Sequence, residues 1–157
     1  MRIALGADHG GFELKNRIKS WLADRGIATE DLGTNSADSC DYPDIARPVC
    51  EHVTAGRADR GILCCGTGIG MSIAANKIDG IRAAHVTSES EAALSRQHND
   101  ANILALGGRT LSDDLARRIV NTWLDTAFSG DSRHARRIAK VAALEHELLT
   151  ADRAICD

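Results

Sequence analysis

Five short apolar runs alternate along the chain with stretches whose apolar residues recur every third or fourth place, and this rhythm constrains the fold. Residues 2–7 predict a first strand, followed by Leu14, Ile18, Trp21 and Leu22 at helical spacing, with Gly26 as the stop. Residues 27–32 predict a second strand. A polar loop over 33–42 leads to a helix face of Ile45, Val49 and Val53, closed by Gly56. Residues 60–65 predict the third strand, 69–77 a helix, 81–86 the fourth strand, 89–96 a helix and 102–106 the fifth strand. Ser112 caps a helix running to Trp123, with Asp113 and Asp114 suited to its first turn. A final helix over 132–149 has no strand after it, and residues 151–157 read as a frayed end. Such alternation predicts an α/β fold, a Rossmann-like three-layer α/β/α sandwich with a five-stranded parallel sheet and an extra C-terminal helix. That helix could pack on a second subunit or cover the same sheet.

At 157 residues the chain suits a single domain over 1–157. Its formal net charge of -3 and aromatic content of 3% give no basis for a nucleic-acid partner. No apolar run is long enough for a membrane span, and the first residues pass straight into a strand, which predicts no signal peptide. The five cysteines (Cys40, Cys50, Cys64, Cys65 and Cys156) are odd in number and follow no disulfide or zinc spacing. A reducing cytoplasm is the expected location, with neither metal nor cofactor.

The chemistry concentrates in Cys64-Cys65-Gly66-Thr67-Gly68-Ile69-Gly70-Met71-Ser72. Here a strand ends in a thiol, the chain turns through three alternating glycines, and a helix begins. Unpartnered N–H groups at such a turn cradle an anion or a developing oxyanion. The helix field at the same spot favours thiolate, so a lowered pKa is expected for Cys65. Cys64 alternates to the other face and reads as core. Rival phosphate loops do not fit: a Walker loop needs Lys after the last glycine, and a dinucleotide fingerprint needs glycine at Met71. A phosphatase loop would need Arg at that same position.

In an open parallel sheet, ligands bind beyond the carboxyl ends of the strands. Asp8-His9-Gly10-Gly11, the Cys65 turn and Gly107-Gly108-Arg109 all fall at such ends. Each signal has a bland reading too. Cys65 could be a small buried hydrophobe, Asp8 and His9 could cap the first helix, and His98 could be a helix-end cation. Arg133 and Arg137 stand one turn apart on a helix face suited to phosphate, with Arg136 off it. The segment Ser95–Asp100 lies at the wrong end of the fifth strand for its own subunit's pocket, which hints at a site shared between subunits.

Taken in order and spacing, these residues resemble the sugar-phosphate isomerase family that includes ribose-5-phosphate isomerase B and the galactose-6-phosphate and allose-6-phosphate isomerases. The resemblance rests on Ala7–Gly11, Asp41-Tyr42-Pro43, Cys65–Gly70 with Ala74–Lys77, Ser95–Asn102, and the Arg133/Arg137 pair. It places the chain in the family's cysteine branch, because Met71 stands where the other branch carries glutamate. It implies interconversion of ribose 5-phosphate and ribulose 5-phosphate, a step of the non-oxidative pentose phosphate pathway. His98, with Asp8, would open the furanose ring, and Cys65 would move the proton between C2 and C1 through a cis-enediolate. Thr67 would sit against the thiol, and the N–H groups from Gly66 through Gly68 to Gly70 would hold the oxyanion. Asn99 would contact the sugar, Tyr42 would line the wall, and His9, Arg109, Arg133 and Arg137 would grip phosphate. A homodimer or dimer of dimers with shared sites is implied. A hexose 6-phosphate substrate and a non-catalytic phosphometabolite-binding module are the alternatives.

Overall fold

The computed structural model describes residues 1–154, with side chains through Glu145; Cys156 and the last part of the expected frayed tail lie outside the described residues. Five strands, β1 (Arg2–Ala7), β2 (Ala28–Asp31), β3 (Arg60–Cys65), β4 (Ala83–His85) and β5 (Ile103–Gly107), form one wholly parallel sheet in the order β2-β1-β3-β5-β4. The helices are α1 (Phe12–Asp24), α2 (Tyr42–Thr54), α3 (Ile69–Ala75), α4 (Glu89–Asn99), α5 (Asp113–Asp125) and α6 (Ser132–Ala154). The three-layer α/β sandwich expected from the strand–helix rhythm is therefore the observed one.

Strand alternation divides the core in two. Ile3, Leu5, Ile62, Cys64, Leu104 and Leu106 point to one face, where α1, α4 and α5 cover them with Leu14, Ile18, Ala92, Ile119 and Trp123. Ala4, Leu63, Cys65, Ile103 and Ala105 point to the other, beneath Val49 and Cys50 of α2 and Met71 and Ala75 of α3. Both faces are buried, as a parallel sheet requires. Among the described residues no helix is long and apolar enough to cross a membrane.

Several boundaries differ from the sequence reading. The edge strand β4 has three residues, because side-chain amides take its leading backbone groups: Arg82 N–H donates to Asn102 Oδ1 and Ala83 N–H to Asn76 Oδ1, each at 2.8 Å. Helix α2 starts at Tyr42, with Pro43 in its first turn where no N–H is needed. Helix α4 continues to Asn99 and stops at Asp100 (φ 46°), whose N–H returns to the Arg96 carbonyl. Helix α6 runs to Ala154, so much of the tail read as frayed is helical.

One buried ion pair joins α1 to the end of β2. Lys15 is 1% exposed, and its Nζ donates to Asp31 Oδ1 at 2.6 Å and to the Thr34 carbonyl at 2.7 Å. Burial pushes the Asp31 carboxyl up, but hydrogen bonds from Lys15, Lys19 and the Gly33 N–H outweigh it and hold the pKa below the usual carboxylate range. Because the folded pKa is depressed, this contribution to stability is present above the unfolded value and is lost as pH falls through the folded one. Urea unfolding should show Asp31→Asn flattening the decline in stability from about pH 5 to about pH 2. At neutral pH, Asp31→Ala should cost about 3 kcal/mol, because the Lys15 charge is left without its counter-ion.

Candidate active site

At the carboxyl edge of the sheet, the loops after β1, β3 and β5 touch backbone to backbone. Asp8 N–H donates to the Cys64 carbonyl at 3.1 Å, Gly108 N–H to the Cys65 carbonyl at 2.8 Å, and Arg109 N–H to the Gly66 carbonyl at 3.0 Å. A β-carbon at Gly10 would lie 2.9 Å from the Gly66 nitrogen, and one at Gly108 would lie 2.6 Å from the Gly10 carbonyl oxygen. Side chains are excluded from this junction, which is why glycines occupy it.

Cys65 is the last residue of β3, 5% exposed, on the α2/α3 side. Its Sγ accepts the Gly68 N–H at 3.0 Å, a contact that gains strength when sulfur carries negative charge. Cys64, one residue earlier, faces the opposite core, where burial and the neighbouring Cys65 push its thiol far above the ordinary range. The sequence reading of Cys64 as core therefore holds.

Around this sulfur the fold gathers most of the expected residues. Asp8 is 7% exposed, and its Oδ1 accepts the N–H groups of Gly10 at 2.8 Å and Gly11 at 3.1 Å. It thus caps the turn leading into α1 while standing at the end of β1. His9 Nδ1 accepts the Cys40 N–H at 3.3 Å, which assigns the ring proton of a neutral imidazole to Nε2. Tyr42 packs its ring on Gly70, where an added β-carbon would lie 3.0 Å from Cζ. Arg109 lies over Gly66 in the same way, at 3.5 Å. The Thr67 hydroxyl accepts the Ile69 N–H at 3.4 Å, and among the described residues no hydrogen bond joins it to the Cys65 sulfur.

His85 was not among the residues expected from sequence. Its Nε2–H donates to the Thr67 carbonyl at 2.8 Å and so braces the glycine turn from β4. It stands at a strand's carboxyl end, and the rule that selected Asp8 and Cys65 would have found it.

His98, Asn99, Arg133 and Arg137 form a separate group. His98 and Asn99 end α4, which descends antiparallel to β5 and stops near Ile103. There Arg82 Nε donates to the Asn99 carbonyl at 2.9 Å, and Ala83 pairs with Ile103. Cys65 pairs with Gly107 at the other end of β5, four residues on and so roughly 13 Å away along the strand. Buried Arg96 anchors the α4 terminus through the Ala101 carbonyl at 2.6 Å and Asp100 Oδ1 at 2.8 Å, with its guanidinium over Trp123. Asn99 and Arg137 line a cleft of about 340 Å³ with Asn76 and Arg82. Arg133 and Arg137 are both exposed on α6. Within one chain, then, the two groups lie at opposite edges of the sheet.

The turn at Gly68 (φ 83°) admits no side chain: a β-carbon would lie 2.7 Å from the His85 ring and 2.9 Å from the Leu106 carbonyl carbon. Gly68→Ala should therefore cost about 3 kcal/mol in urea unfolding, combining left-handed strain with overpacking. The corresponding change at Gly26, where a β-carbon would meet nothing within 4 Å, should cost only the conformational part, about 1 kcal/mol.

The chain is similar in sequence and fold to known proteins. A family model described as Ribose/Galactose Isomerase matches residues 3–141. Ribose-5-phosphate isomerase B of Escherichia coli (strain K12) is 47% identical over 92% of this chain and 96% of its own. D-erythrulose-4-phosphate isomerase of Pectobacterium atrosepticum is 38% identical over 94% of this chain and 97% of its own. The solved Clostridium thermocellum ribose-5-phosphate isomerase B superposes with a TM-score of 0.93 at 51% identity, over 94% of this chain and 99% of that one. With its fold, its carboxyl-edge glycine junction and a match over nearly its whole length, the chain belongs to the Ribose/Galactose Isomerase family.

Proposed function

We propose that this chain interconverts D-ribose 5-phosphate and D-ribulose 5-phosphate with Cys65 as the base, in an assembly where a second copy completes each site. The observation that carries the reading is the Cys65 sulfur, at the end of β3 and bonded to the Gly68 N–H at 3.0 Å. Relatives named ribose-5-phosphate isomerase B support the pentose substrate. Met71, fully buried, leaves no carboxylate at the position that the glutamate branch would use.

In this mechanism His98 and Asp8 move the protons that open the furanose ring. The Cys65 thiolate removes the proton from C2, and the electron pair forms the C1–C2 enediolate with the negative charge on O1; a proton then passes from O2 to O1, and the same sulfur returns its proton to C1 as C2 becomes the carbonyl. Charge building on the substrate oxygen is met by N–H groups of the Gly66–Gly70 turn, and losing one such donor typically costs about 3 kcal/mol. His9 Nε2–H, Arg109, Arg133 and Arg137 bind the phosphate, and Asn99 and Tyr42 position the sugar, so the reacting carbons stay near sulfur. A homodimer or dimer of dimers reconciles the two groups: the α4 and α6 residues of one copy cover the carboxyl edge of another. A reducing cytoplasm suits the free cysteines Cys40, Cys50, Cys64 and Cys65.

Cys65→Ala should lower kcat for ribose 5-phosphate by about 10³-fold, the range of a lost general base, with the fold intact by circular dichroism. An unchanged rate would remove Cys65 from the mechanism. A ratio of kcat/KM favouring allose 6-phosphate over ribose 5-phosphate would move the assignment to the hexose. Sharing of sites is tested by mixing Cys65→Ala with His98→Ala chains after unfolding and refolding together. Mixed dimers would carry one intact site, so about a quarter of wild-type activity should return; sites confined to one chain would give none.

A further inference from the structure

His134 has no part in the chemistry above, yet its ring is 4% exposed and lies flat on that of His98, with centroids 4.2 Å apart and planes within 9°. We infer that His134 is a positioning residue for ring opening, whose ring holds the His98 imidazole in the orientation from which it exchanges protons with the sugar. The inference rests on the proposed role of His98 and deepens it.

His98 needs such a support. It sits in the last turn of α4, half-buried, and among the described residues neither of its ring nitrogens has a hydrogen-bond partner. Backbone anchoring by Arg96 fixes its Cα but not its ring. A proton-transferring group works only when held within about 0.5 Å and 10–20° of the productive geometry. A stacked aromatic neighbour limits both tilt and swing while leaving both ring nitrogens free at the edge, where proton transfer occurs. A hydrogen-bonded support would occupy one of them.

The surroundings suit a neutral support. Desolvation, followed by the His98 ring and the Arg133 cation, holds the His134 pKa below the ordinary imidazole range, with Asp131 opposing and Arg137 adding. An uncharged ring faces His98 without repelling the imidazolium formed during proton transfer. The start of α6 is secured independently: Asp131 Oδ1 accepts the Arg133 N–H at 2.9 Å, and Ser129 N–H donates to the Gln97 carbonyl at 3.2 Å. Trimming His134 should therefore leave Arg133 and Arg137 in place.

Ring opening can be separated from enediolate chemistry, because ribulose 5-phosphate is acyclic when its O5 carries phosphate. Turnover of ribose 5-phosphate requires ring opening, whereas exchange of a C1 proton of ribulose 5-phosphate with solvent deuterium does not. His134→Ala should lower kcat/KM for ribose 5-phosphate about tenfold, the upper range of an aromatic stack, and leave the C1 exchange rate within about twofold. His134→Phe, which restores a flat uncharged ring, should recover most of the loss. In the His98→Ala background, His134→Ala should add nothing. Equal losses in turnover and exchange, no loss in either, failure of Phe to rescue, or additivity with His98→Ala would each overturn the inference. Should wild-type protein show neither turnover nor exchange, the functional reading itself fails, which is a separate result.

Discussion

The backbone contact among the ends of β1, β3 and β5 is the constraint on which the site depends. The carbonyls of Cys64, Cys65 and Gly66 are committed to N–H groups of Asp8, Gly108 and Arg109. With its carbonyls engaged by neighbouring strands, the turn after β3 is fixed from outside as well as by its own dihedrals. Together with the His85 brace on the Thr67 carbonyl, this holds the turn's donors in place before any ligand arrives. Glycines at 10, 11 and 108 are what let three main chains meet there: a β-carbon at Gly11 would lie 2.3 Å from the Cys64 carbonyl carbon, and one at Gly108 2.6 Å from the Gly10 carbonyl oxygen.

A parallel sheet makes this edge easy to build and the second group hard to bring to it. Each helix returns antiparallel to the strand it follows, so the last turn of α4 must emerge at the amino edge, beside Ile103. No rotation of side chains carries His98 across a strand's length to Cys65. Under the proposed mechanism the fold can use both groups only by pairing copies. The exposed arginines on α6 and the cleft shared by Asn99 and Arg137 are the surfaces such pairing would bring to a neighbour's glycine turn.

Much of this was legible in the sequence because it follows from periodicity. Alternation in β3 assigns Cys64 and Cys65 to opposite faces, and helical spacing in Leu14, Ile18 and Leu22 identifies the buried side of α1. The glycine turn and the strand-end residues were legible for the same reason, and the oddity of Ser95–Asp100 followed from chain direction alone. What periodicity does not carry is the partner of a polar side chain. Lys15 lies on the buried face of α1 and would read as an error there, until Asp31 and the Thr34 carbonyl meet its ammonium. His134 and Arg96 depend likewise on α6 and α5 folding back onto α4. Edge strand β4 is shorter than its apolar run because Asn76 and Asn102 compete for its backbone, a contest settled only in three dimensions.

Under the proposed mechanism, the two adjacent cysteines isolate what would make one thiol useful and not the other. Residue type is the same, and both are almost wholly buried. Cys64 points among Ile62, Leu104 and Leu106 neighbours on the three-helix face, where burial keeps the proton on sulfur. Cys65 points the other way from the last position of the strand, the one place from which the following turn can curl back and donate an N–H to it. A residue earlier in β3 on the same face, Leu63, is too deep for the turn to reach and is filled with hydrocarbon. The different surroundings of two identical side chains thus arise from strand parity and distance to the strand end. Any change that slipped β3 by one register position would exchange the two roles and place the free thiol in the wrong core.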